Sequence, residues 1–273
     1  MKKYLQLAKI TFEEYLVYRL NFYLWRFRSF IVFLTLLFFW LAIYGDRTEF
    51  LGYQKAQMIT YVIGIAFLRT IVLGSRSADL GPQIRSGELT KLLLKPIKTI
   101  HFWFTRDVVD KGLNLFFTII EILAIVCLLK LSFYYEVTNF VYLPYHLTTY
   151  FSFAVLSLMA IFLYFFLSFT LSVVAFWTEE IWATRWLFGV IFLEFLAGAF
   201  FPLDVLPSWL TKIIYLTPFP YLVFFPMKIW LEQLNSGEII MAIFICLIWL
   251  IFFWWLAVFL WRKGAKNYGA YGG

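Results

Sequence analysis

Three long runs without a charged residue dominate this chain. They extend from Ser29 to Gly45, from Leu147 to Thr178 and from Ile239 to Trp261. At about 1.5 Å rise per residue, each run forms a helix that is about long enough to cross ~30 Å of bilayer hydrocarbon. Of all residues, 63% are hydrophobic and only 14% are charged, which is more apolar than a water-soluble domain can bury. The sequence therefore predicts an all-α integral membrane protein.

Three further apolar stretches contain a charge within or near the end of the run. They hold Arg69, Glu121 and Glu194. Arg69 lies near one end of its stretch, where a long side chain can reach the headgroups. Together with the uncharged runs, they predict about six membrane spans, near residues 29–45, 56–74, 112–130, 147–176, 186–203 and 238–261.

The distribution of lysine and arginine predicts the orientation of these spans. An even number of spans places both termini on one side, and positive residues concentrate on the cytoplasmic side. The segments on the opposite side contain only a few basic residues, namely Arg47, Lys55, Lys130, Lys212 and Lys228. We therefore expect both termini in the cytoplasm, with 75–111 as the largest cytoplasmic loop.

Two segments outside the spans are also expected to be helical. Residues 1–24 place apolar side chains at helical spacing, which favours a helix lying in the membrane interface: Leu5, Ala8, Phe12, Leu16 and Leu20. A solvated helix running directly into the first span is the alternative. Residues 204–237 are apolar but rich in proline, which excludes one continuous helix. This segment is expected to form short extracellular or re-entrant helices before the last span.

The cytoplasmic loop contains a short stretch that predicts a helix of its own. Leucines recur at helical spacing after Ser86, an expected N-cap, and Pro96 should end the helix after little more than two turns. Residues from His101 can restart a helix that leads into the third span. The apolar ridge of the short helix has two possible contacts, namely the chain's own bundle and lipid headgroups, or a groove on a cytoplasmic partner.

Three sequence stretches resemble a known family. The stretch IRSGELTKLLLKPI in the cytoplasmic loop, and GAFFPLDVLPSWL and TPFPYLVFFP before the last span, resemble the membrane subunits of ABC transporters of the ABC-2 permease type. The resemblance covers nearly the whole chain, so residues 1–273 are expected to form a single ABC-2-type transmembrane domain. In that family a coupling helix in the first cytoplasmic loop contacts the ATPase. The resemblance therefore implies ATPase contacts at Gly87, Glu88, Leu89, Leu92 and Leu93.

The resemblance also implies partners and a location. The sequence contains no G-x-x-x-x-G-K-[ST] motif, so ATP is expected on a separate ABC ATPase subunit, present in two copies, and this chain is expected to bind no cofactor. A second permease chain, identical or homologous, is expected to complete an exporter in a prokaryotic plasma membrane. Whether it moves drugs, lipids, glycans or peptides does not follow from the residues.

Glu121 and Glu194 are the candidate residues of a translocation path. An ionised side chain in the middle of a span costs at least ~2.5 kcal/mol, so such residues need a compensating role. Either carboxylate could face the path, or it could form a structural contact with another helix. Arg69 is a possible structural partner of Glu194.

Other classes of protein are less compatible with the sequence. A secondary transporter or channel that uses the two carboxylates as proton sites is the main alternative, and a membrane scaffold is another. We find no paired nucleophile and base for an enzyme, and Cys127 and Cys246 lie in apolar runs rather than in a metal motif. The net charge of +7 is spread beside apolar runs, which favours anionic lipid over nucleic acid.

Overall fold

Helices form nearly all of the regular structure. The computed structural model describes residues 2–132, 141–178, 193–266 and 268. The α-helices of these ranges are α1 (Lys2–Val17), α2 (Arg19–Tyr44), α3 (Lys55–Ile71), α4 (Leu80–Arg85), α5 (Leu89–Leu93), α6 (Thr99–Ser132), α7 (Leu147–Val173), α8 (Leu193–Leu196), α9 (Ser208–Tyr215), α10 (Phe224–Trp230) and α11 (Ser236–Lys266). A two-stranded antiparallel hairpin, β1 (Glu49–Phe50) and β2 (Tyr53–Gln54), joins α2 to α3.

Three of these helices are long and apolar enough to cross a membrane. They are α2, α7 with its 3₁₀ extension to Phe176, and α11, and they contain the three uncharged runs of the sequence except for Gly45, Trp177 and Thr178. A fourth candidate is α3 together with the segment Arg76–Arg85, which bends by 46° after a short break. These observations confirm an all-α membrane protein. The count of six spans remains a prediction, and residues 186–192 of the expected span 186–203 lie outside the described residues.

The restart of the helix after Pro96 occurs as the sequence indicates. α6 begins at Thr99 and continues for 34 residues, so the expected span 112–130 lies within it. The prolines of 204–237 also have the expected effect, because this segment consists of α9, α10 and two short 3₁₀ helices. Pro202, Pro207 and Pro218 each stand directly before one of these short helices.

The expected apolar face of the N-terminal helix does not pack on the bundle. Leu5 and Leu16 are 70% and 62% exposed, whereas Leu7 and Thr11, on another face, are buried. α1 packs against α6 through that second face, where Tyr4 lies beside the ring of His101. The exposed stripe is therefore free for lipid, and α1 is attached to the bundle by its buried face and by polar contacts such as that of Arg106 with Glu14.

Two clusters of buried side chains support the helices. The larger lies between α2, α3, α7, α10 and α11, and contains Leu37, Tyr61, Leu156 and Met227. The smaller joins the loop 75–111 to the ends of α6, α7 and α11, and contains Leu80, Leu89, Leu92, Trp103 and Phe169. α4 and α5 are thus packed on the end of the bundle.

The break between α3 and α4 is held by side chains of α6. The Asp107 carboxylate accepts the backbone N–H of Arg76 at 2.8 Å, and the Lys111 ammonium donates to the carbonyl oxygen of Gly74. Asp107 and Lys111 also form an ion pair at 3.0 Å, with side chains 1% and 8% exposed. Because both partners are buried, these contacts satisfy backbone groups that the break leaves without a helical partner.

Candidate translocation cavity and coupling segment

A cavity of about 600 Å³ lies between α1, α2, α3 and α6, with Glu194 of α8 at its wall. Charged groups of both signs line it, namely Arg26, Arg28, Arg69 and Arg76 with Glu14, Asp79, Asp110, Glu121 and Glu194. The remaining lining is mostly apolar or aromatic. Both sequence-predicted carboxylates, Glu121 and Glu194, therefore belong to a single cavity, although they are 73 residues apart by their numbers.

Glu121 is paired with an arginine of the first spanning helix. Arg26 Nε donates to Glu121 Oε1 at 3.1 Å, and a second guanidinium nitrogen contacts Oε2. That second nitrogen also donates to Thr118 Oγ1 at 3.0 Å, one turn before Glu121 on α6. The Arg26 side chain is 9% exposed, so the fork-shaped guanidinium meets the carboxylate largely away from water.

Glu194 has the partner that the sequence suggested. Arg69 Nε donates to Glu194 Oε1 at 3.3 Å and a terminal nitrogen contacts Oε2, which confirms Arg69 as its partner. The neighbouring hydroxyl of Thr70 lies 2.9 Å from the hydroxyl of Thr118. The Arg26–Glu121 pair is therefore linked through Thr118 to Thr70, the residue that follows Arg69 on α3.

A second polar network closes one end of the cavity. Arg76 Nε contacts Asp110 Oδ1 at 3.2 Å and the Tyr15 hydroxyl at 3.0 Å, and the same hydroxyl donates to Asp110. Arg76 also reaches Asp79 at 3.4 Å. Burial raises the pKa of the Asp110 carboxyl to about 6, while Lys111 and the side chain of Asn114 act in the opposite direction. This network joins α1, α6 and the start of the coupling loop.

α5, the helix expected to contact the ATPase, exposes other side chains than the sequence predicts. Leu89 is fully buried and Leu92 is 5% exposed, both within the chain's own smaller core. The expectation that these two leucines face a partner is corrected, because their apolar surface is already covered by α6 and α7 side chains. Leu93 and Leu94 are 45% and 82% exposed, and Glu88 is also exposed.

The start of α5 is also two residues later than expected. Ser86 ends α4 rather than capping α5, and Glu88 occupies the N-cap position. Between them Gly87 has φ = 78°, a conformation that side chains with a Cβ rarely adopt. Gly87 therefore acts by reversing the chain between α4 and α5.

Sequence reasoning missed several members of the site. The sequence pattern assigns no role in the site to Arg26, Thr70, Thr118, Arg76 or Asp110. One available signal was the energetic need of Glu121 for a partner within the membrane. The rotation of each helix decides which basic residue meets it, and sequence spacing does not provide that rotation.

The fold and cavity define a multi-pass α-helical membrane protein with a charged compartment between its helices. Residues 30–272 match the family model described as ABC-2 family transporter protein. The chain therefore belongs to the ABC-2 transporter family and is a membrane transport protein of that class. No curated protein matches the chain significantly.

Proposed function

We propose that this chain is the membrane-spanning permease subunit of an ATP-driven exporter and contributes its translocation path. The observation that carries the proposal is the cavity, in which two arginine–carboxylate pairs lie between apolar helices. Charged groups inside a membrane protein are costly and mark substrate pathways. Membership of the ABC-2 family supports the same function.

A separate ABC ATPase supplies the energy in this proposal. Two copies of that subunit bind ATP, and a second permease chain, identical or homologous, completes the path. Both termini and the coupling segment lie in the cytoplasm of a prokaryotic cell. The direction of transport is outward, as the sequence resemblance implies.

The exposed side of α5 is the proposed ATPase contact. Of the residues that the resemblance suggested, Glu88 and Leu93 have exposed side chains, and Leu94 extends the same surface. Leu89 and Leu92 then have an internal role, since they anchor α5 to the bundle. Movement of α5 is passed through α4 to Arg76, which lies at the end of the cavity.

The test compares an exposed and a buried leucine of α5. Leu93→Asp combined with Leu94→Asp should abolish isolation of the ATPase with this chain in mild detergent, while the thermal stability of the permease is retained. Leu92→Asp should instead destabilise the permease, because it buries a charge. Leu216→Asp, at a 75% exposed leucine in the segment expected outside the cell, is the matched control and should leave association unchanged.

Reconstitution into vesicles distinguishes an ATP-driven exporter from a secondary transporter. Vesicles containing this chain and its ATPase should show solute movement that requires ATP hydrolysis. Solute movement by this chain alone, abolished by collapse of the proton gradient, would support the alternative. The structure offers that alternative little support, because protonation of Glu121 or Glu194 would leave a paired arginine without its counter-charge.

A further inference from the structure

The charged cavity borders an apolar groove of about 520 Å³. Leu36 of α2 lines both spaces. A second contact connects them, because the guanidinium of Arg69, which faces the cavity, lies 5.8 Å from the ring centre of Phe200, which lines the groove. A molecule with a polar end and an apolar end could therefore occupy both spaces at once.

The groove has almost no polar surface. Its lining includes Phe39, Trp40 and Ile43 of α2 together with Phe200 and Leu206. Trp40 does not offer its polar atom to the groove, since Nε1 donates to the carbonyl oxygen of Phe200 at 3.2 Å. From Leu36 to Ile43 the groove follows α2 for ~10 Å, at about 1.5 Å per residue. Hydrocarbon is the chemistry that this surface fits.

The cavity is nearly balanced in charge. Arg26 and Arg69 are already neutralised by Glu121 and Glu194. A ligand with one net charge would leave one member of a pair without its partner, at a cost in a partly dry site. A ligand with one positive and one negative group can exchange partners with a pair and leave the total charge of the cavity unchanged.

We propose that the cavity and groove together form a binding site for a zwitterionic amphiphile. Its anionic group contacts Arg26 or Arg69, its cationic group contacts the carboxylate of the same pair, and its alkyl tail passes Leu36 into the groove. The claim that a zwitterionic amphiphile is the transported substrate rests on the proposed function. The claim that the chain binds such a molecule does not.

The charge selectivity can be measured without the ATPase. The full-length chain is placed in nanodiscs of anionic phosphatidylglycerol, and binding of radiolabelled probes is measured below their micelle concentrations, with empty discs subtracted. Dodecylphosphocholine should bind at least about tenfold more tightly than dodecyltrimethylammonium or dodecyl phosphate, which have the same tail and a single sign of charge. Equal affinity for the three probes would overturn the proposal.

Substitutions separate the two halves of the site. Arg26→Gln with Glu121→Gln removes one pair without changing net charge, and should lower dodecylphosphocholine affinity about tenfold. Leu36→Trp blocks the junction, so it should weaken dodecylphosphocholine binding but not that of tailless glycerophosphocholine. Phe39→Ala, at a 56% exposed residue, should weaken tail binding because it removes apolar surface without adding bulk. This variant still tests the groove if the tryptophan of Leu36→Trp prevents folding.

The control is Ile251→Trp on α11, where the replaced side chain is 55% exposed and lies outside both spaces. It should leave every affinity unchanged. If neither Leu36→Trp nor Phe39→Ala changes the affinity for dodecylphosphocholine, the assignment of the groove as the binding site of the alkyl tail is wrong.

A second disc composition identifies the source of the ligand. In discs of phosphatidylcholine, weaker probe binding indicates competition by membrane lipid, whereas equal binding indicates a free amphiphile; both results support the site. Loss of probe selectivity while ATP-dependent transport persists would reject this inference alone. Selective probe binding by a chain that never co-purifies with an ATPase from cells would instead reject the proposed function.

Discussion

At the scale of single residues, the cavity depends on pairing rather than on isolated charges. Glu121 could be recognised in the sequence because a carboxylate in an apolar helix is costly, but Arg26 is equally unusual, since its side chain is almost fully buried seven residues into α2. Each charged side chain lowers the energetic cost of burying the other. Their contributions to stability should therefore be strongly non-additive.

A double-mutant cycle tests this pairing. Arg26→Gln and Glu121→Gln should each lower the free energy of unfolding by about 1–3 kcal/mol, because each leaves a partly buried charge without its partner. The double variant should lose less than the sum of the two. Unfolding in detergent, followed by circular dichroism, measures the three losses. Additive losses would show that the pair contributes no coupling.

A second residue with an unusual role is Glu232, which has φ = 53°. Its carboxylate accepts the Tyr142 hydroxyl at 2.7 Å, the Thr149 hydroxyl at 3.0 Å and the His146 backbone N–H at 3.1 Å. These contacts fix the segment before α7 to the end of α10. The hydrogen bond from Tyr142, followed by those from His146 and Thr149, lowers the pKa of Glu232 below its ordinary value, against the effect of desolvation.

The pH dependence of stability follows from this direction. A carboxyl with a lowered folded-state pKa stabilises the protein above its ordinary pKa, and that stability is lost as pH falls through the folded-state pKa. The melting temperature of the unmodified chain should therefore fall more steeply between about pH 5 and pH 3 than that of Glu232→Gln, which should be less stable at neutral pH. Asp46→Asn, at an exposed carboxylate, is the control and should leave the slope unchanged. Identical slopes for Glu232→Gln and the unmodified chain would contradict the role of this carboxylate.

At the scale of helices, close packing determines whether a glycine can be replaced by a residue with a Cβ atom, and two glycines differ in this respect. A Cβ atom at Gly264 of α11 would lie 2.7 Å from Cγ of Phe176, at the end of α7, whereas a Cβ at Gly112 of α6 meets nothing within 4 Å. α11 and α7 lie side by side, and Gly264 is buried where their ends meet. The same substitution should therefore have opposite effects at the two positions.

This contrast gives a paired prediction. Gly264→Ala should destabilise the chain by about 1–3 kcal/mol because the added methyl group overlaps the aromatic ring. Gly112→Ala should stabilise it by ~0.5–1 kcal/mol, because alanine reduces the entropy lost on helix formation. Thermal unfolding of the two variants in the same detergent measures both shifts. A stabilising Gly264→Ala would show that α11 does not approach Phe176 this closely.

At the scale of the whole molecule, the distribution of charge predicts the orientation in the membrane. Most lysine and arginine residues lie in the segments assigned to the cytoplasm, and the groove and Glu232 lie toward the opposite end of the bundle. Lys98, next to α5, and Lys212, in α9, are both exposed and are assigned to opposite sides.

Cysteine labelling tests this arrangement. After replacement of Cys127 and Cys246, Lys212→Cys should react with a membrane-impermeant maleimide in intact cells. Lys98→Cys should react only after the membrane is opened. Labelling of both positions from outside would reject the predicted topology.

The sequence by itself determined the all-α membrane class, the restart of α6 after Pro96 and the division of 204–237 into short helices. These features follow from local causes, namely the length of apolar runs and the missing N–H and fixed φ of proline. It also identified Glu121 and Glu194, because a charge in an apolar run is visible without a structure.

Only the tertiary structure decided what those residues contact. The pairing of Glu121 with Arg26, the burial of Leu89 and Leu92, and the exposure of the apolar stripe on α1 all depend on how helices rotate and pack. Helical spacing defines the faces of a helix but not the neighbour that each face meets. In a membrane the ambiguity is greater, because lipid and protein interior are both apolar, so an apolar face is compatible with either.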